Sequence, residues 1–204
     1  LSMNRIGVLV VGGGPAGLTA ALYAARAGKS VLVLEQGGFG GQIALSPRVE
    51  NYPGIPHMAG NLLADALVEQ VLAQDVDVEV ETVTAFSGEN GVFTVTTEDG
   101  QHPCRAIILA TGVTHRHLGL EGEEALVGRG VSYCAVCDGA LYKGKTIAAV
   151  LSDKKFEEEA EYLAGFAQKV HAFCLYPDPK FQADNIVVHT QKPVAIQGGM
   201  RVET

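Results

Sequence analysis

Tryptophan is absent, and basic residues are outnumbered: 15 Lys and Arg against 23 Asp and Glu leave a net charge of −8. That deficit argues against a basic nucleic-acid face and against a polybasic membrane anchor. Cysteine is scarce, with four in 204 residues, too few for a disulfide-stapled secreted scaffold. An unbroken hydrophobic span is also missing. Residues 6–25 carry no charge, but Gly12-Gly13-Gly14-Pro15 would break a spanning helix or signal-peptide core in its middle. What is plentiful is glycine, 25 residues, which points to tight backbone turns rather than an aromatic binding surface. At 47% hydrophobic and 19% charged, the chain is of ordinary globular composition, long enough for one large domain or two small ones.

Hydrophobic patterning gives an α/β order. Residues 6–11 are a short β-branched run, read as a buried strand; 15–27 read as a packed helix stopped by Gly28; 31–34 read as a second buried strand ending at Glu35. A second helix is predicted over 61–73, with Leu62, Leu63, Ala66, Leu67 and Val71 as its apolar stripe. Residues 76–86 and 91–97 alternate like an antiparallel pair turning at 89–91, and 106–110 read as another buried strand. After a stretch without long periodic elements, 146–151 is a strand, 154–168 an acidic-faced helix, and 170–175, 186–189 and 194–197 are strands. Gly198-Gly199 then turns into 200–203 as a hairpin. The expected fold is two Rossmann-like three-layer domains with parallel sheets, over 3–112 and 113–204, with Leu1 and Ser2 set aside.

Gly12-Gly13-Gly14-Pro15-Ala16-Gly17 fits G-x-G-x-x-G between a predicted strand and a predicted helix. The first glycine permits the tight turn, the second lets a pyrophosphate approach the backbone, and the third lets helix and strand pack closely. Glu35 falls about 20 residues on, where an acid binds adenosine ribose. The motif does not choose between NAD and FAD. Two turn-rich patches, 40–42 and 49–54, could reach the middle of a long cofactor, or could be ordinary surface loops.

Cys134 and Cys137 form C-x-x-C, within disulfide reach and at a predicted helix start, where a thiolate is stabilised. A zinc reading needs two further ligands, but Cys104 and Cys174 stand isolated on predicted strands and read as core thiols. A thioredoxin-like domain is the other reading of the pair. Asp138, next in sequence, is either a proton donor and acceptor or a helix cap. His115, His117 and His171 show no metal spacing, and no metal is expected.

GGGPAG at 12–17, GGQ at 40–42, VENYPG at 49–54, ATG at 110–112 and GVSYCAVCDGALYKGK at 130–145 together resemble the low-molecular-weight thioredoxin reductases. The resemblance implies a FAD domain interrupted by a domain carrying the redox cysteines. Cys137 would lie against the flavin, Cys134 would attack the thioredoxin disulfide, and Asp138 would handle the proton. By matching position, Gly12, Gly14, Pro15, Ala16, Gly17, Glu35, Gly41, Gln42, Asn51, Thr111 and Gly112 would hold FAD, with Val83 a weaker match. The implied protein is a cytoplasmic homodimer acting on a thioredoxin-like disulfide.

The chain departs from that family twice. Where an NADPH-binding glycine loop is expected, residues 150–156 contain no glycine. Asp153 would cap the helix, and Glu157, Glu158 and Glu159 would repel a phosphate. The stretch 170–179 offers only His171 toward a 2′-phosphate. In this the chain is similar to the ferredoxin-dependent flavin thioredoxin reductases, which makes NADPH doubtful and ferredoxin the expected donor. Net charge opposes an acidic ferredoxin, unless Lys143, Lys145, Lys154 and Lys155 share one face. Second, the chain stops at Thr204, before the segment that completes the FAD domain in that family, so a fragment is expected. The alternatives are an NADPH-dependent reductase with an atypical loop and a non-catalytic FAD-binding or redox-sensing module.

Overall fold

The computed structural model describes residues 6–89 and 91–203, which form two compact units meeting in sequence at Thr114 and His115. Met3, Arg5 and the turn residue Asn90 lie outside the described residues.

The first unit runs β1 (Ile6–Val11), α1 (Pro15–Arg26), β2 (Val31–Glu35), a 3₁₀ turn (Gly41–Leu45), α2 (Gly60–Leu72), β3 (Asp77–Val80), β4 (Val83–Glu89), β5 (Val92–Thr97) and β6 (Gln101–Leu109). These strands make one sheet in the order β3-β2-β1-β6-β5-β4. It is parallel from β3 to β6 and antiparallel through β6, β5 and β4. The β1 and β2 runs lack alternation because both faces are covered. Val10, Val31 and Val33 pack with Leu18 and Ala21 of α1 and Val71 of α2, while Leu9, Val11, Leu32 and Leu34 pack with Val95 and Cys104. Each Val or Leu among them contributes roughly 1.5–3 kcal/mol.

The structure corrects the expected elements in three places here. The run 76–86 is not one strand: Asp77–Val80 pairs in parallel with β2, and the chain turns at Glu81, whose amide donates to the Glu35 carbonyl, before β4 begins. The strand predicted at 106–110 begins at Gln101, because Pro103 lies beyond the β1 pairing that starts at Cys104 and its missing N–H is not needed there. The buried face of α2 is Leu63, Ala64, Leu67, Val68 and Val71, leaving Leu62 and Ala66 exposed. Gly60 sets that rotation. Its amide donates to the Ser46 carbonyl, and a Cβ there would strike the Ile43 carbonyl, so the helix start is pressed against the 3₁₀ turn.

The second unit contains α3 (Ala135–Asp138), β7 (Thr146–Leu151), α4 (Glu157–Ala164), β8 (Lys169–Cys174) and β9 (Ile186–His189), the strands forming a parallel sheet in the order β7-β8-β9. Ala160, Leu163 and Ala164 put α4 onto Leu151, Val170, Ala172 and Cys174. The helix expected over 154–168 is shorter. A 3₁₀ turn (Lys154–Phe156) precedes it and Gly165 ends it. Residues 194–197 are not a strand and make only a single bridge, Ala195 to Glu121, although the Gly198-Gly199 turn does bring Val202 opposite Gly198. No helix among the described residues is long and apolar enough to cross a membrane.

Candidate functional site

The carboxyl ends of β2, β1 and β6 converge on the glycine turn. The Gly12 amide donates to the Leu34 carbonyl and the Ala110 amide to the Val11 carbonyl, each at 2.8 Å. β1 lies between its two parallel neighbours, so the chain leaves it at the point where an open α/β sheet forms its crevice. Three glycines meet three different demands. Gly12 has φ of +107°, and a Cβ there would collide with the Ala110 carbonyl; a Cβ on Gly17 would collide with the Gly12 carbonyl. Gly14 is extended, with φ of −78°, and a Cβ on it meets nothing within 4 Å. The fold therefore needs glycine at 12 and 17, and leaves free space at 14.

That space is edged by hydrogen-bond donors. α1 starts at Pro15 with no side-chain cap, and the amides of Ala16 and Gly17 have no acceptor among the described residues. Together with the helix dipole they suit a phosphate. Glu35 stands beside them, one carboxylate oxygen accepting from the Gly13 amide at 2.7 Å and the other from Gly37 at 3.0 Å. The 40–42 patch is tied into this site: the Gly40 amide donates to the Gly13 carbonyl at 2.8 Å, and a Cβ on Gly41 would lie 3.5 Å from the Gly14 Cα. Gln42 donates from Nε2 to the Val113 carbonyl at 3.3 Å, joining that patch to Thr111 and Gly112, which follow β6. Val83 opens β4 and packs beside Leu9 and Val11. Asn51 lies, exposed, in a loop bridged at Val49–Met58 and Tyr52–Ile55. The open space at Gly14 and the donors beside it fit the pyrophosphate of a dinucleotide.

In the second unit Cys134 and Cys137 are disulfide-bonded, with Cα atoms 5.3 Å apart; Cys104 and Cys174 are buried free thiols, and burial pushes the Cys104 thiol up. Cys134 caps α3, its sulfur accepting the Cys137 amide at 3.2 Å, and Cys137 lies inside this four-residue helix, the more exposed of the pair. So short a helix lends little dipole to a thiolate. Thiol counting on the air-oxidised, denatured protein is expected to give two free thiols before reduction and four after; four before reduction would contradict the pairing.

Asp138 closes α3 rather than capping its start, and it accepts a 2.6 Å hydrogen bond from the Ser132 hydroxyl. Ser132 also accepts from the Cys134 amide at 3.1 Å, tying the carboxylate to the cysteine loop. Sequence reading missed Ser132, and the S-x-C spacing of a turn was the only signal for it. It also missed Glu123, 2% exposed, which accepts amides from Leu118, Gly119 and Leu120 and the Tyr133 hydroxyl at 2.9 Å. Burial alone would raise that carboxyl; the four donors outweigh it and hold its pKa low. Burial, then the Glu123 contact, pushes Tyr133 up to about 12. His115 stacks on Tyr133 and His117 Nδ1 lies 3.1 Å from its hydroxyl, so both belong to the support beneath Cys134.

The turn between β7 and α4 is filled by its own side chains. Asp153 accepts the Lys155 amide at 3.0 Å. Glu157 accepts the Lys180 amide at 3.0 Å and the Tyr176 hydroxyl at 3.2 Å, drawing the loop after β8 over the helix start. His171, the sole basic side chain offered by 170–179, is hydrogen-bonded to His189 at 2.8 Å. The four lysines do not make one patch. Lys143 and Lys145 precede β7 and Lys154 and Lys155 follow it, so a six-residue strand, roughly 20 Å long, separates the pairs.

Residues 6–154 match the family model described as pyridine nucleotide-disulphide oxidoreductase. The chain is 43% identical over 182 residues to thioredoxin reductase of Mycolicibacterium smegmatis, covering 89% of this chain and 58% of that protein. It is 36% identical over 182 residues to the Escherichia coli O157:H7 enzyme, covering 89% and 56%. It spans just over half the length of these two relatives. Thioredoxin reductase from Streptococcus pyogenes MGAS5005 superposes with a TM-score of 0.92 at 36% identity, over 98% of this chain and 69% of that one. A ferredoxin-flavin thioredoxin reductase from Clostridium acetobutylicum gives 0.51 at 33% identity, over 98% and 69%. Sequence, site and superposition agree, and the chain belongs to the pyridine nucleotide-disulphide oxidoreductase family.

Proposed function

We propose that this chain is part of a flavin-dependent reductase of protein disulfides, with FAD held by an N-terminal domain (3–112) and the redox pair carried by the domain that follows it (113–204). The carrying observation is the open Gly14 cradle in one unit together with the Cys134–Cys137 disulfide in the other. Ala16 and Gly17 would take the pyrophosphate with their amides, Glu35 the ribose, and Gly12, Pro15, Gly41, Gln42, Thr111 and Gly112 would line the cofactor, with Asn51 and Val83 assigned by resemblance. When bound, FAD supplies the electron pair that reduces the disulfide.

The chain's own residues do the rest. The Cys134 thiolate attacks one sulfur of the partner disulfide, forming a mixed disulfide and expelling the other sulfur as a thiolate. Cys137 then attacks Cys134, re-forming the internal disulfide and releasing the partner's second thiolate. Asp138, held by Ser132, moves the protons between thiols and water. The substrate is a thioredoxin-like protein, as the relatives' names suggest.

NADPH is not the donor in this reading. A pyrophosphate at the β7–α4 turn would have to displace Asp153 from its amide, and the Glu157–Tyr176–Lys180 contacts occupy the space beside it. A ferredoxin remains the donor by resemblance, docking without the four-lysine patch. Anaerobic mixing of the intact, flavin-loaded protein separates these donors. NADPH at micromolar concentration is expected to leave the flavin oxidised while reduced ferredoxin bleaches it, more slowly as salt is added. Rapid bleaching by NADPH would overturn the donor assignment.

A further inference from the structure

Glu79, Glu81 and His102 are far apart in sequence, yet each offers a ligand atom within 4.8 Å of the others. We propose that these three side chains form a binding site for a divalent transition-metal ion of the zinc class. Glu79 and Glu81 are two residues apart across the end of β3, so they project to the same side, and His102 comes from the start of β6.

The donor set fits that ion. One imidazole nitrogen and two carboxylates are zinc ligands, with a fourth position left for water; magnesium and calcium would prefer oxygen throughout. Bonds of about 2.0–2.2 Å place neighbouring ligand atoms about 3.3 Å apart around a tetrahedral ion. His102 Nε2 and Glu81 Oε2 are already 2.9 Å apart, so an ion needs only a small parting of these two and a rotation of Glu79. Glu79 is exposed and gives the ion its way in, whereas Glu81 and His102 are mostly covered.

The site is also held from behind. Thr97, 6% exposed, donates to Glu81 Oε2 at 2.6 Å and accepts the Asp99 and Gly100 amides, so the carboxylate is fixed by the β5–β6 turn. Such outer contacts orient a ligating carboxylate. The local charge is unbalanced. Asp77 and Glu79 alternate along β3 and Glu81 follows just past its end, and no Lys or Arg among the described residues pairs with them. Linear spacing hides the site, since its ligands come from separate strands.

The test is a zinc titration of the chelator-treated, air-oxidised protein, so that Cys134 and Cys137 are not available as ligands. Calorimetry is expected to show one equivalent of Zn²⁺ bound. Glu79→Gln and His102→Gln should each weaken it by roughly tenfold or more, and His171→Gln should leave it unchanged. X-ray absorption should report one nitrogen and otherwise oxygen ligands. Absence of saturable binding, or binding that survives Glu79→Gln, would overturn the site; that variant changes an exposed side chain and keeps the fold.

Discussion

Replacing Cys134 by serine is expected to abolish disulfide reduction by the intact protein, a loss of about 10³-fold or more, while its flavin stays bound. The hydroxyl cannot form a mixed disulfide, and no other thiol can stand in, because Cys104 and Cys174 are buried on β6 and β8. Flavin content should be unaffected, because the glycine turn and Glu35 belong to the other unit. The partner variant assigns the roles. Cys137→Ser should accumulate a covalent complex with a thioredoxin-like substrate through Cys134, visible on a non-reducing gel. If Cys134→Ser accumulates the complex instead, the attacking sulfur is Cys137, the more exposed of the two in this unit. Undiminished turnover of Cys134→Ser would remove the pair from the chemistry.

The second large effect concerns Gly14. Gly14→Val should leave the fold nearly as stable as before and weaken flavin binding by about ten- to a hundredfold. A side chain at 14 meets no protein atom within 4 Å and the backbone there is extended; a poorer helix cap and a stiffer unfolded chain offset each other to within about 1 kcal/mol. The added methyls enter the space where the pyrophosphate would approach. Gly12→Ala has the opposite signature. Its positive φ costs about 1–3 kcal/mol before the collision with the Ala110 carbonyl is counted, so stability falls with flavin binding. Thermal melts with and without FAD separate the two. A Gly14→Val protein that binds FAD normally would refute a pyrophosphate at this turn.

The first unit was legible because its signals are local. A β-branched run, a glycine turn and an Ala-rich helix each declare themselves within about a dozen residues, and β1, α1 and β2 follow within a residue or two. The misreadings arise where distant contacts decide. Residues 76–86 alternate throughout, and only the pairing of Asp77–Val80 with β2 splits them. Leu62 is as apolar as Leu63, and the approach of Gly60 to the 3₁₀ turn decides which is buried. For the site, the glycines, Glu35 and the two cysteines are visible as motifs. Ser132 and Glu123 act through hydrogen bonds to a turn, which leaves no spacing to read. The lysine patch failed for a geometric reason: proximity in sequence across a strand places residues at its opposite ends.

The central claim is that one flavin and one disulfide share electrons in a single protein. An anaerobic dithionite titration of the intact, flavin-loaded protein, followed by flavin absorbance and thiol counting, tests it directly. The account predicts uptake of about four electrons per flavin, two for the flavin and two for the Cys134–Cys137 disulfide, with two new thiols at the end point and about two electrons for Cys134→Ser. Uptake of about two electrons per flavin by the unaltered, oxidised protein, with the disulfide intact at the end point, would contradict it.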